Sequence, residues 1–348
     1  MGQGRLPVVF PPEPDERLSS WLTRMATFYA MTVPELAAEL GLPGRNVFDL
    51  EWRLSEGEGA LITARTGVSE VALQAMTYSE FVPDARIMIA RKSRHCCPDC
   101  PVDVHRKAAA LPWTFSCAIH STYLRDVGAA TLADILGPAR FDALSSYAKT
   151  GADNLNSWTR GEGQGALGPI EMLFFLTTRH RRASPPNVSE QPRMSLGVRR
   201  AYHEFLTTPI IRQALAAVVP EYDQVAPVLV KPVRPGLHAL AQGSLLQAFA
   251  VMAGIGRIAE DPVARAIEVL LASDADGQER LRDVLRTWPL SLRRRTQHGS
   301  GVLNAPRETA RSPRKPRGGT SLINSGTSSL INIGTESHKP QPVFQGSA

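Results

Sequence analysis

Four side chains in the middle of the chain have the types and spacing needed to hold a metal ion. Cys97-Pro-Asp-Cys100 is followed, after sixteen intervening residues, by Cys117-Ala-Ile-His120. Zn2+ takes four N or S ligands in a tetrahedron, at about 2.0–2.3 Å, and a two-residue gap lets both side chains of one tight turn converge on one ion. All four cysteines (Cys96, Cys97, Cys100, Cys117) fall within 22 residues, with none elsewhere, which does not fit a disulfide framework spread over a secreted domain. A redox CxxC is the rival reading. That motif opens a helix behind a strand in a thioredoxin-like pattern, which is missing here. Cys96 could exchange with Cys97 as a ligand, but only Cys97 preserves the CxxC spacing. The expected cofactor is one Zn2+ on Cys97, Cys100, Cys117 and His120. Four protein ligands close the shell, so the ion is read as structural, not catalytic. His95 and His105 flank the motif and read as supporting or surface groups.

Other chemistry is poorly represented. The zinc-deaminase pattern needs H-x-E upstream of P-C-x-x-C, and no His precedes His95. His203-Glu204 stands alone rather than within H-E-x-x-H, and phosphate-binding and nucleophile-elbow motifs are missing. No catalytic residue is assigned. A metalloenzyme reading would require an exchangeable water on the metal. Basic residues surround the cysteines (Arg86, Arg91, Lys92, Arg94, Arg106, Lys107, Arg125), diluted by Asp84, Asp99, Asp103 and Asp126. Arg91, Lys92, Arg94, Arg106 and Lys107 are candidate nucleic-acid contacts, together with Arg293-Arg294-Arg295 farther on. Trp113 and Phe115 are expected to pack over the zinc.

The 348-residue chain carries a net charge of +6, unevenly placed. Leu281–Gly318 holds ten basic residues against Asp283 and Glu308, and Glu336 balances Lys339 beyond it, so residues 1–280 have a net charge of −2. A body of that sign does not coat nucleic acid indiscriminately. The N-terminus lacks a signal-peptide core, and Ala166–Leu176 and Leu245–Ile255 are too short to span a bilayer, so a soluble protein of a reducing compartment, with no membrane partner, is expected.

The elements that must position the motif are mainly helical. Leu18, Trp21, Leu22, Met25 and Tyr29 recur at helical spacing in a helix starting near Asp15. Thr32-Val-Pro-Glu35 has the form of a capping box, Glu56–Arg65 stops at Gly67, and Ser69 caps Glu70–Met76. The helix–Gly67–helix arrangement is a candidate helix-turn-helix. Its second helix offers only Gln74 for reading bases, which favours an ordinary corner burying Leu61, Ile62, Val71 and Met76. Helices are expected again at Thr131–Leu136, Ala139–Lys149, Pro169–Thr178 and about 195–207, 209–218, 238–253, 262–273 and 277–287. Asp153–Gly168 reads as a loop, Arg181–Pro192 as a linker, and Val225–Val233 as an extended piece. Gly319-Thr-Ser-Leu-Ile-Asn324 is nearly repeated at Gly326–Asn332, in a stretch rich in Gly, Ser and Pro that reads as disordered. The fold class is therefore mainly α, with a small zinc-ribbon-like module. The expected divisions are 1–90 (N-terminal helices), 91–127 (zinc module), 128–290 (C-terminal helices) and 291–348 (a basic, then low-complexity tail).

Two segments resemble the TniQ family of transposition proteins, with its TnsD-like target selectors. One is Pro7…Pro14-Asp-Glu-Arg-Leu-Ser-Ser-Trp21-Leu-Thr-Arg24. The other is Arg94-His-Cys-Cys97-Pro-Asp-Cys100…Leu111-Pro-Trp113…Cys117-Ala-Ile-His120-Ser-Thr-Tyr-Leu124. Between them, Ala64-Arg-Thr-Gly67 and Leu73–Thr77 also fit. The resemblance spans about residues 5–127 and implies a non-catalytic accessory protein of the bacterial cytoplasm. Its partners would be DNA or an RNA-guided targeting complex, together with an AAA+ ATPase and a transposase; a homodimer is left open. The competing function is a zinc-containing DNA-binding transcriptional regulator.

Overall fold

Capping side chains set the helix boundaries in the first part of the chain. The computed structural model describes residues 4–90, 95–126, 130–162, 166–178, 210–223, 235–273 and 275–300. The N-terminal helices are α1 (Leu18–Phe28), α2 (Val33–Glu39), α3 (Val47–Trp52), α4 (Glu56–Thr66) and α5 (Glu70–Ala75). Ahead of α2, Thr32 accepts the Glu35 N–H while its own N–H donates to the Glu35 carboxylate at 2.7 Å. Ser55 and Glu58 repeat this reciprocal pair ahead of α4. Gly67 ends α4 at φ 75°, a left-handed conformation that glycine adopts without steric cost.

Leu18, Trp21, Leu22, Met25, Leu36, Leu40, Leu50, Ile62, Leu73 and Met76 form one buried cluster from these five helices. The turn at Gly67 makes a helix corner closed by Ile62, Leu73 and Met76. Leu61 and Val71, expected inside, are instead 43% and 81% exposed. Helix α3 has no counterpart in the expected elements, although Asn46 caps it by accepting the Phe48 N–H. Helix α1 starts at Leu18, not near Asp15, because Asp15–Arg17 pair with a distant strand-like segment. There, the Lys107 N–H donates to the Asp15 carbonyl and the Arg17 N–H to that of His105.

The C-terminal helices are α6 (Leu132–Leu136), α7 (Pro138–Thr159), α8 (Pro169–Thr177), α9 (Ile210–Val218), α10 (Pro220–Asp223), α11 (Leu237–Gln242), α12 (Leu245–Glu260), α13 (Pro262–Leu271), α14 (Ala275–Leu285) and α15 (Leu290–Ser300). Helix α7 runs ten residues past Lys149, through part of the expected loop. It does so because Gly151, Ala152 and Leu155 are buried against α12. Gly151 lies on the Met252 carbonyl and Gly256 on the Tyr147 carbonyl, so the two backbones meet with no side chain between them. The expected 238–253 helix is broken at Gly243, where Ser244 and Gln247 cap the start of α12.

Among the described residues the sheet is minimal: β1 (His95–Cys96) pairs antiparallel with β2 (Arg125–Asp126). No helix among them is long and apolar enough to cross a membrane. The tail expected from 291 does not begin there, since Leu290–Ser300 is helical with Leu292 and Thr296 buried. Residues 301–348 lie outside the described residues, as do the 181–192 linker, the 195–207 helix, the Val225–Val233 piece, and Arg91, Lys92 and Arg94.

Candidate metal centre

Two tight turns bring the four predicted ligands together. In the first, the Cys100 N–H reaches back to the Cys97 carbonyl. In the second, the Cys117 N–H donates to Thr122 and the Ser121 N–H to Cys117, with Ser121 at φ 55° to close the turn. The Leu124 N–H donates to Phe115, so residues 115–124 form a small hairpin carrying Cys117 and His120. Thr122 Oγ1 donates to Asp99 Oδ2 at 2.6 Å and ties the hairpin to the first turn.

The resulting geometry is that of an ion-sized cage. His120 Nδ1 lies 3.4 Å from Cys97 Sγ, 3.4 Å from Cys100 Sγ and 3.7 Å from Cys117 Sγ. Cys100 Sγ and Cys117 Sγ are 3.7 Å apart, and all four donor atoms lie within 4.8 Å of one another. A tetrahedral ion with metal–sulfur bonds of about 2.3 Å would space its sulfurs by about 3.8 Å. The donor set therefore fits one metal ion. Cys96 is not part of the cage; its Sγ faces the Arg125 carbonyl across the β1–β2 pair at 3.7 Å. His95 is buried and His105 exposed, and neither joins the cluster.

The charge state of the thiols follows from their surroundings. Burial pushes Cys100 up to about 11; Arg106 opposes this, and the facing Cys117 and Cys97 thiols add to it. Burial also acts against ionising Cys117, but N–H groups of His120 and Ile119 outweigh it and bring the thiol down to about 7. Apolar support is thin. Besides the cysteines, the buried cluster here holds only Ala109 and Leu124, too little to fix two turns without a cross-link.

The module is locked to the N-terminal helices by polar contacts. Glu16 takes both the Nε and Nη2 of Arg24, at 2.9 and 2.8 Å, and accepts the Ser20 hydroxyl. Ser20 in turn accepts the His105 N–H, and Asp15 accepts the Ala108 N–H. The Arg106 guanidinium donates to the Pro14 carbonyl. Arg17 is buried and forms a two-bond pair with Glu51 of α3, at 3.2 and 2.7 Å, while its Nη1 reaches the Ala90 carbonyl. Trp21 Nε1 donates to the Phe10 carbonyl. Asp15, Glu16, Arg17, Ser20, Trp21 and Arg24 thus tie the start of α1 to residues 10–14 before it, to α3 and to the metal module. Glu51 is the partner that sequence reasoning missed; its only signal was a short apolar turn behind the Asn46 cap.

Residues 7–124 match the family model described as TniQ. Over these residues, about a third of its length, the chain is similar to the TniQ family. That similarity associates the protein with transposition, in an accessory role. Neither the search of curated proteins nor that of solved structures returned a match.

The TniQ segment does not keep its aromatic residues to itself. Trp113 and Phe115, expected over the metal, face the C-terminal helices. Trp113 is buried with its Nε1 donating to Asn156 of α7 at 2.7 Å, and Phe115 meets the Phe249 ring edge-on at 5.1 Å. Among the candidate nucleic-acid residues, Arg106 is buried and Lys107 donates to the Ala75 carbonyl while lying near Glu80 and over the Tyr78 ring. Arg294 and Arg295 are exposed on α15, and Arg293 is half-buried beside them.

Proposed function

We propose that this protein is a non-catalytic transposition accessory that engages target DNA, or a targeting complex already on DNA, and recruits an AAA+ ATPase and a transposase there. The observation that carries the reading is the TniQ match over residues 7–124, with an intact Cys3His cage inside it. Zn2+ is the metal we assign, because three thiolates and one imidazole at tetrahedral spacing suit a d10 ion of borderline softness. Cys97, Cys100, Cys117 and His120 would hold it, leaving no open position for a substrate, so its role is to fix the module against α1. A bacterial cytoplasmic location belongs to the same reading, since free thiolate ligands persist in a reducing compartment.

The test is recruitment. The full-length protein is mixed with labelled duplex and with the ATPase of its own mobile element, and DNA-retained ATPase is measured with and without it. At least a tenfold gain on adding the protein is expected (about 1.4 kcal/mol of coupling). Tight binding to one operator without any gain in retained ATPase would replace this reading with that of a zinc-containing regulator.

A further inference from the structure

Helix α15 carries an unusual charge pattern. Leu292 and Thr296 are buried, and a Cβ at Gly299 would meet Ile267 Cδ1 at 2.5 Å, so the backbone lies flush on α13. Trp288, buried with its ring 5.2 Å from that of Phe175, and Pro289 fix the approach to the helix. On the opposite side Ser291, Arg294, Arg295 and His298 are all exposed, at the i, i+3, i+4, i+7 spacing of one helical stripe, with Arg293 at its edge.

Elsewhere among the described residues many arginines pair with carboxylates, while Arg5 and Arg106 donate to backbone carbonyls. Arg17, Arg24, Arg65, Arg86, Arg257, Arg265 and Arg286 pair with Glu51, Glu16, Glu39, Asp49, Glu221, Glu268 and Asp283. Among the described residues no carboxylate pairs with Arg293, Arg294 or Arg295, and the sequence has no acidic residue between Asp283 and Glu308. Three adjacent guanidinium groups on a docked helix repel one another, and among the described residues none is neutralised by a directly paired carboxylate. An anionic partner relieves that.

We infer that the exposed stripe of α15 binds the phosphate backbone of duplex DNA without reading bases, an inference that rests on the DNA-engaging role proposed above and gives it a location. Planar guanidinium forks match phosphate oxygens two bonds at a time. The outward set has no Asn or Gln to address base edges, and Gln297 is half-buried with a partner of its own. The sequence continues with Arg307, Arg311, Arg314, Lys315 and Arg317, a spread of cations suited to a repeating polyanion. A membrane-surface helix would turn apolar residues outward. Here Leu292 faces the core, and only Leu290, at the first position, is exposed.

The experiment titrates short duplexes of unrelated sequence with the full-length protein over a range of salt. The wild type is compared with Arg293→Gln/Arg294→Gln/Arg295→Gln and with the corresponding triple Lys variant. Each lost phosphate contact lowers the slope of log K against log salt by about 0.9. The Gln variant should therefore lose about two to three units of slope, equally for every sequence. The Lys variant should keep most of the slope, and all three proteins should melt alike. An unchanged slope in the Gln variant overturns the inference, as does a loss confined to one sequence. So does weakened binding to phosphatidylserine vesicles with DNA binding intact, which would assign the stripe to membranes. If the wild type recruits the ATPase while the slopes agree, only this inference fails. If it neither binds DNA nor recruits the ATPase, the accessory reading fails first.

Discussion

The TniQ segment and the helices behind it both hold helices in fixed positions, by opposite means. In residues 7–124 the fixing contacts are polar and directional: Glu16 to Arg24, Arg17 to Glu51, Ser20 to His105, and four donors around one ion-sized space. Behind them α7 and α12 meet backbone to backbone at Gly151 and Gly256, inside a cluster of Leu, Phe, Ala and Val. Directional contacts set an orientation but leave a buried charge stranded when one partner goes. Close packing sets a distance and fails when volume is added. The two regions should therefore respond to different kinds of substitution, and their melting should separate accordingly.

The largest effect is expected at the metal. Ligand sets of this type supply on the order of 10 kcal/mol to folding when the ion binds. Cys100→Ser should abolish bound zinc, measured by elemental analysis of anaerobically purified protein, and should expose residues 95–126 to hydrogen exchange. Exchange in α7 and α12 should stay close to wild type. Cys96→Ser should retain the metal, because Cys96 Sγ faces the Arg125 carbonyl outside the cage. Equal zinc loss in the two variants would show that the ligand set is wrong. Loss of protection in α12 as well would erase the distinction between the regions.

Next comes the buried pair. Arg17→Ala takes two donors from the Glu51 carboxylate inside the protein and leaves it the Ser19 N–H. Breaking such a pair from one side costs about 3–5 kcal/mol, whereas replacing both partners by apolar groups of similar volume is often near neutral. Denaturant titration should give a loss in that range for Arg17→Ala and recovery of most of it in Arg17→Met/Glu51→Leu. A double variant no better than the single would mean that the pair's remaining contacts, such as Arg17 to Ala90, matter more than the charge balance.

The features that sequence made legible were local ones. The capping box at Thr32, the stop at Gly67 and the two-residue gap within each knuckle all follow from residues within four positions of one another; the first two are found as expected, and the four knuckle side chains do lie close together. What escaped were choices made between distant segments. Asp153–Thr159 has the polar composition of a loop, yet it is helix because Leu155 and its neighbours lie under α12. Asp15 has helix-start character, yet it pairs with Lys107 across the chain. Trp113 sits between two cysteine ligands in sequence and points away from them, toward Asn156. The basic triplet at 293–295 read as the start of a tail because its charge hid the anchoring role of Leu292 and Thr296.

The smallest effects carry the clearest sign test, because one substitution should act oppositely in the two regions. At Gly256 a Cβ would fall well inside contact distance of the Tyr147 carbonyl, which belongs to a helix and cannot turn aside. Overpacking of this kind costs about 1–3 kcal/mol. At Gly57, in the first turn of α4, a Cβ would meet nothing within 4 Å and the residue is exposed. There alanine removes unfolded-state freedom and gains helix propensity, worth about 0.5–1 kcal/mol in favour of the fold. Gly256→Ala should therefore lower the denaturation midpoint and Gly57→Ala should raise it. A stabilising Gly256→Ala would mean that α7 and α12 can move apart at little cost. The glycine crossing would then be incidental to the C-terminal core, which would hold its helices by apolar burial alone.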